Sequence, residues 1–272
     1  MASVVPVADP GDPRLSDYMS LNDADLRRQM EAAGRDGPGL FIAEGMTAIT
    51  RLLTSPYPVR SVLVTPSRLP RLAPLIDDLD VTVFVAEPAV LEAVAGFDLH
   101  RGAVAAADRL APRDPVDVVT KAQTLAVLEG LNDHENLGAI ARSARGLGVD
   151  GLLLDPTCAD PLYRRCVRVS MGEVLHLPFA RLTPWPDALR ELRDAGWRIL
   201  ALTPAPDALP LPCVHVEPGE RVAVLLGAEG PGLSDAAMAA ADDRVRIALR
   251  PGVDSLNVGH AAAIAFAALG RA

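Results

Sequence analysis

Ser255 and Asn257 stand two residues apart at the mouth of the apolar stretch Ala261 to Leu269, which reads as a helix. A helix that is apolar on every face has to be buried, so polar side chains at its start are carried into the fold. They either cap the helix by offering an oxygen to its free N–H groups, as Ser and Asn often do, or they face a ligand. Gly259 and His260 complete the entry, and His260 reads as a capping or packing histidine.

Two other stretches hold side chains of the same kind. Leu226-Gly227-Ala228-Glu229-Gly230-Pro231-Gly232-Leu233-Ser234 leaves directly from the apolar run Val222 to Leu226. Its three glycines permit positive φ angles and close backbone approach. A tight turn explains the glycines but not Glu229, an acid set among them just after a buried strand. The spacing is neither Gly-x-Gly-x-x-Gly nor a loop ending in Gly-Lys-Ser/Thr, so dinucleotide and phosphate-loop readings lack support. A nucleotide-like ligand held by backbone groups remains open. In the other stretch, Glu135 to Gly148, the residues Leu137, Ile140, Ala141, Ala144 and Leu147 form a helical stripe. Asn136 sits where an N-cap belongs. Arg142 lies off the stripe and is expected to face a cleft, because the helix begins just after a strand end; Arg145 is expected on the solvated face.

The elements that must position these residues alternate along the chain. Residues 1–37 read as a lead-in, with turn formers at 9–13, a polar helix over Asp23 to Ala33 and a break at Arg35 to Gly39. Residues 38–110 read as a small α/β domain, with strands at Leu40–Ala43, Val59–Thr65, Val81–Ala86 and Gly102–Ala107 and helices at Met46–Leu53, Leu69–Asp78 and Ala89–Gly96. Residues 111–120 read as a linker. Residues 121–272 repeat the alternation. Strands are expected at Thr124–Glu129, Gly151–Leu154, Leu175–Phe179, Arg198–Leu202, Val222–Leu226 and Arg244–Ala248. Helices are expected at Leu137–Gly146, about Pro161–Met171, Pro186–Ala195 and Ser234–Ala241, with the apolar helix last. Continuous apolar runs suit parallel strands covered on both faces. Such sheets bind ligands beyond the carboxyl ends of their strands.

At 272 residues the chain suits one large or two ordinary domains. It has no apolar run approaching the roughly 18 to 20 residues of a membrane span and nothing that reads as a signal peptide, so a soluble, cytoplasmic protein is expected. Cys158, Cys166 and Cys213 are odd in number and form no Cys-x-x-Cys pair, which fits a reduced compartment and argues against zinc; no metal site is expected. A formal charge of -9 argues against nonspecific coating of nucleic acid. Lys121 is the only lysine, and 25 of the 26 basic residues are arginine, the better phosphate fork.

Taken in order, Asn136 with Arg142, then Gly227 to Ser234, then Ser255 to Val258, these stretches resemble the three motifs of the SpoU/TrmH family of RNA ribose 2′-O-methyltransferases, in the SPOUT superfamily. Tyr163 to Gly172 resembles the stretch between the family's first and second motifs. Residues 121–270 carry the resemblance closely; residues 38–108 look, less specifically, like the L30e/L7Ae-like RNA substrate-binding domain of many members. Two places depart from the family pattern: Gly259-His260 after the third motif, and Ile247-Ala248-Leu249 where relatives often have Ile-Pro-Met.

The resemblance implies a SPOUT-type parallel sheet tied in a trefoil knot, a homodimer through the carboxyl-terminal domain, and S-adenosylmethionine as cofactor. It places Leu226, Gly227, Ala228, Glu229, Gly230, Ile247, Leu249, Ser255, Leu256 and Val258 at the cofactor. It makes Arg142 the catalytic candidate, with Asn136 and Glu229 supporting the site and Ser255 and Asn257 contacting substrate or positioning Arg142. A guanidinium stays protonated near neutral pH, so an electrostatic role for Arg142 is physically preferable to that of a base. Arg142, Arg164, Arg165 and Arg168, with Arg35 and Arg68 in the front domain, are the RNA-binding candidates. Ribosomal RNA is the first expectation for substrate and transfer RNA the second. The competing class is a non-catalytic RNA-binding or assembly factor that keeps the fold. A nicotinamide-dependent enzyme has little support without its glycine fingerprint.

Overall fold

A computed structural model describes residues 2–23, 39–99 and 101–269. The elements run β1 (Ser3–Pro6), β2 (Leu40–Glu44), α1 (Met46–Leu53), β3 (Val59–Val64), α2 (Leu69–Ile76), β4 (Thr82–Val85), α3 (Pro88–Ala95) and β5 (Ala103–Asp108). They continue through α4 (Pro115–Val119), β6 (Thr124–Glu129), α5 (His134–Gly146), β7 (Gly151–Leu154), α6 (Arg164–Val169), β8 (Phe179–Arg181), α7 (Ala188–Asp194) and β9 (Trp197–Leu202). The last are β10 (Leu209–Pro210), β11 (Arg221–Gly227), α8 (Asp235–Ala240), β12 (Asp243–Arg246) and α9 (Val258–Leu269). The architecture is α/β, in two compact units: residues 1–111 with 162–176, and residues 112–161 with 177–272. Among the described residues no helix is long and apolar enough to cross a membrane.

The first unit holds a five-stranded sheet in the order β1-β4-β3-β5-β2, with β5 antiparallel to both its neighbours. The expected lead-in is partly structural. Strand β1 pairs in parallel with β4, and a 3-10 turn over Pro13–Tyr18 buries Leu15 and Tyr18 in the core, where Tyr18 Oη lies 2.7 Å from Ser61 Oγ. A four-residue edge strand takes its register from a partner some eighty residues away, so its own pattern carried little signal. The polar helix expected over residues 23–33 lies, apart from Asp23, outside the described residues, as does the break at 35–38.

Segment 162–176, expected within the second domain, packs in the first unit. Glu44, buried at the end of β2, accepts from Arg164 Nη1 at 2.6 Å and has Arg168 at 3.7 Å, while Arg164 also lies over the Phe97 ring at 4.8 Å. Arg51 of α1 pairs with Glu173 at 2.6 Å. A carboxylate out of water needs such cations, so two of the expected RNA-binding arginines help hold the segment in place.

The second unit is a seven-stranded, wholly parallel sheet in the order β10-β12-β9-β11-β6-β7-β8. Its inner strands β6, β7 and β11 are apolar runs with both faces covered. The strand expected over Leu175–Phe179 is displaced: Glu173–His176 is a 3-10 turn and the strand begins at Phe179, just past Pro178, which has no N–H to donate to the ladder. The second half of the expected linker is also structured, since Asp114 caps α4, Val118 is buried and α4 packs on β7 and β8. Helix α9 is not buried on every side. Its Ala262, Ala265, Phe266 and Leu269 face α5 and β11, whereas Ile264 is 42% exposed. Six of its twelve residues are alanine and His260 alone is polar, so the sequence gives no polar face by which to recognise the outer side.

Candidate active site

Parallel strands β9, β11 and β12 deliver three loops to one end of the second sheet, and a cavity of about 460 Å³ opens there. Its walls are Leu202, Thr203 and Pro204 after β9, residues 226–230 and Gly232 at the end of β11, Ile247 and Leu249 after β12, and residues 255–258 with Ala261 at the entry to α9. All ten residues that the sequence reading assigned to a cofactor line this one cavity. Sequence reasoning missed the loop 203–204. The signal for it was the carboxyl end of the strand Arg198–Leu202, which sheet order places next to β11.

The loop after β11 is shaped by close backbone approach. Ala228 and Gly232 form an isolated bridge, and Gly232 N donates to Ala228 O at 3.0 Å. A Cβ on Gly227 would lie 2.3 Å from the carbonyl carbon of Gly232, so no other residue fits there without moving backbone. Gly230 has φ +87°, the left-handed region that favours glycine. Gly227, Gly230 and Gly232 line the cavity without side chains, which suits a ligand that approaches backbone closely.

The three motifs meet at Asn257. Its Nδ2 donates to Asn136 Oδ1 at 2.8 Å and to Glu229 Oε1 at 2.6 Å. Its Oδ1 accepts from Gly259 N at 3.0 Å and His260 N at 3.3 Å. Asn257 therefore caps α9 with one end of its amide and ties two distant loops with the other. Asn136 does not cap its helix. Asp133 does so, accepting from Glu135 N at 2.7 Å, and α5 starts three residues earlier than expected, which places Asn136 in the first turn, buried and aimed at Asn257. The side chain of His260 is exposed and does not line the cavity, so the expected packing role falls away.

Ser255 is exposed at the cavity wall. Arg142, expected to face a cleft, is instead exposed on α5 and does not line the cavity. Arg145 is exposed as expected. Arg68 is half-buried at the start of α2, Arg165 is exposed, and Arg35 lies outside the described residues. Cys158, buried beside β6, accepts from Leu131 N and donates to Leu128 O, both at 3.3 Å. Burial pushes its thiol up to about 12, which keeps it a neutral packing group and excludes a thiolate nucleophile there.

Comparison with known proteins agrees with this geometry. The model of the SpoU rRNA Methylase family matches residues 123–267. An uncharacterized tRNA/rRNA methyltransferase of Mycobacterium tuberculosis is 46% identical over 96% of this chain and 89% of its own length. Among solved structures, the AdoMet-bound rRNA methyltransferase from Sinorhizobium meliloti superposes with a TM-score of 0.77 at 23% identity, covering 97% of each chain. An RNA 2′-O ribose methyltransferase superposes at 0.76 with 25% identity, again covering 97% of each.

Proposed function

The chain belongs to the SpoU rRNA methylase family of RNA methyltransferases, and from that premise we propose that it transfers a methyl group from S-adenosylmethionine to a ribose 2′-oxygen of ribosomal RNA. The observation that carries the reading is the hydrogen-bonded set Asn136, Asn257 and Glu229, which joins the three motifs beside a backbone-walled cavity. The cavity fits an adenosyl group: about 460 Å³ is ample for a cofactor of that size, Leu202, Leu226, Ile247, Leu249 and Val258 offer apolar walls to a base, and residues 227–230 offer backbone partners. Bound S-adenosylmethionine supplies an electrophilic methyl on a sulfonium.

The chain's own part is to hold and orient. Asn257 fixes the carboxylate of Glu229 relative to α5, keeping the cofactor loop in register with the helix that carries Arg142. Ser255 stands at the wall where a ribose hydroxyl would enter. Arg142 grips the neighbouring phosphate and stabilises the alkoxide that develops as the 2′-oxygen attacks, the proton passing to phosphate or water. The family resemblance further supports a trefoil knot in the second unit and an L30e-like RNA-binding role for the first. It also supports a cytoplasmic homodimer, for which the exposed Val253, Leu256 and Ile264 offer apolar surface that a second copy would cover.

Ribose methylation mapped on ribosomal and transfer RNA, after incubation with the purified protein and S-adenosylmethionine, tests the function. One new 2′-O-methyl in ribosomal RNA is expected. Modification confined to transfer RNA would move the substrate to the second choice. No transfer and no cofactor binding would make the chain a non-catalytic RNA-binding factor.

Asn257→Asp separates the two duties of that side chain. Aspartate caps as well as asparagine, so the α9 cap is kept, and the lost tie alone should lower the melting temperature, by about 2–4 °C per kcal/mol. Its carboxylate can donate to neither Asn136 nor Glu229 and faces the latter with like charge, so cofactor affinity should fall roughly tenfold, the size of one lost charge-assisted hydrogen bond. Calorimetry and a thermal melt on the same sample check this; unchanged cofactor affinity and unchanged stability would leave Asn257 a cap alone.

A further inference from the structure

Glu129, the last residue of β6, has no part in the reactions above, yet three donors converge on its carboxylate. Oε2 accepts from Ser234 N at 2.8 Å, and Oε1 accepts from Ser234 Oγ and from Trp185 Nε1, both at 2.7 Å. Ser234 Oγ in turn accepts from Ala237 N at 3.1 Å, so the hydroxyl caps α8 while its single proton goes to Glu129. In the sheet, Glu129 lies opposite Gly227 across the β6–β11 ladder. Ser234 stands just past the return limb of the glycine loop, two residues after Gly232, which closes on Ala228. Trp185 comes from a different loop, beyond β8 at the far edge of the same sheet. Glu129 itself does not line the cavity.

We propose that Glu129 is a positioning residue for the cofactor loop: acting through Ser234, it clamps the return limb of Gly227–Gly232 against the end of β6 and ties that limb to the Trp185 loop. A carboxylate is the side chain this task requires. It accepts all three bonds with two oxygens and donates none, whereas a glutamine would turn an NH₂ group toward at least one of the three donors. Gly227, Gly230 and Gly232 bring the loop to the cavity wall without side chains, so the register of that part of the wall depends on whatever holds the loop's ends. Gly227 holds one end by close packing, and Glu129 holds the other.

The inference rests on the S-adenosylmethionine reading, and the test keeps the two apart. The purified full chain and its Glu129→Gln, Ser234→Ala and double variants are titrated with S-adenosylmethionine by calorimetry, and kcat and KM are measured on RNA. For Glu129→Gln, Kd and KM for the cofactor are expected to rise about tenfold while kcat changes less than about threefold, because no group at the reacting atoms is altered. The double variant is expected to be no weaker than Glu129→Gln, since both substitutions break one unit. Trp185 emission, identified by difference from Trp185→Phe, is expected to shift in Glu129→Gln before cofactor is added. A Kd within about twofold of wild type despite that shift, or additive losses in the double variant, would overturn the clamp. If Glu129→Gln is recovered unfolded, Ser234→Ala carries the test: a rise in Kd of about threefold or more supports the clamp and no rise overturns it. A wild-type chain that binds no S-adenosylmethionine would overturn the functional reading and the clamp with it.

Discussion

Arg142→Ala is expected to reduce methyl transfer by roughly a thousandfold in kcat while leaving cofactor affinity within about twofold of wild type. Both halves follow from where Arg142 stands. It is not a wall of the cavity, so removing it takes nothing from the bound cofactor. It is exposed on α5, six residues beyond Asn136, and among the described residues it makes no ion pair. By contrast, Arg164 and Arg168 are committed to Glu44, and Arg51 to Glu173. A guanidinium with no ion pair among the described residues, on the helix that Asn257 ties to the glycine loop, suits the proposed role at the RNA phosphate and at developing negative charge. Loss of a single preorganised donor to such charge costs about 10²- to 10³-fold, and in the proposed mechanism the phosphate contact is lost with it. Arg142→Lys should recover part of the rate, since it keeps the charge and loses the bidentate fork. Single-turnover transfer with saturating cofactor is the measurement; turnover near wild type in Arg142→Ala would remove Arg142 from the mechanism.

Gly227→Ala is expected to weaken S-adenosylmethionine binding by at least about a hundredfold, equivalent to roughly 2.7 kcal/mol. The added Cβ would lie 2.3 Å from the Gly232 carbonyl carbon, 2.4 Å from Leu233 N and 2.6 Å from Gly232 O. All three are backbone atoms and cannot rotate away, so the return limb must lift and the bridge between Ala228 and Gly232 must open. Some stability goes too, about 1–3 kcal/mol for an overpacked site. Gly230→Ala is the control. Gly230 has φ +87° but open space around its Cβ, so that variant bears only conformational strain of about 1 kcal/mol and should bind far better than Gly227→Ala. Calorimetry of both variants decides between them, and wild-type affinity in Gly227→Ala would mean that the glycine loop is not the cofactor's wall.

Much of the fold was legible because local pattern and tertiary role agree there. Helix α1 and strands β6 and β7 have the limits read from sequence, as apolar period and run length mark buried helix and strand faces directly. The misses share a cause. Strand β1 exists because β4 offers it an edge, β8 begins just past Pro178, which accepts from Leu152 N but has no N–H to donate, and Asp133 outcompetes Asn136 for the start of α5. In each, a partner or competitor outside the local pattern made the decision.

The order and types of the motif residues, the alternation of strand and helix, and the glycines that allow close approach belong to the sequence alone, because they are properties of single residues and of short-range period. The meeting of Asn136, Glu229 and Asn257 does not. It arises because parallel strands deliver distant loops to one end of a sheet, and only that arrangement makes one amide of Asn257 both the cap of α9 and the tie between two motifs. The same holds for Glu129, an unremarked strand end in the sequence, whose three donors are brought together by the sheet order β11-β6-β7-β8. Hydrogen bonds between residues a hundred positions apart have no local signature, and tertiary structure is where they are decided.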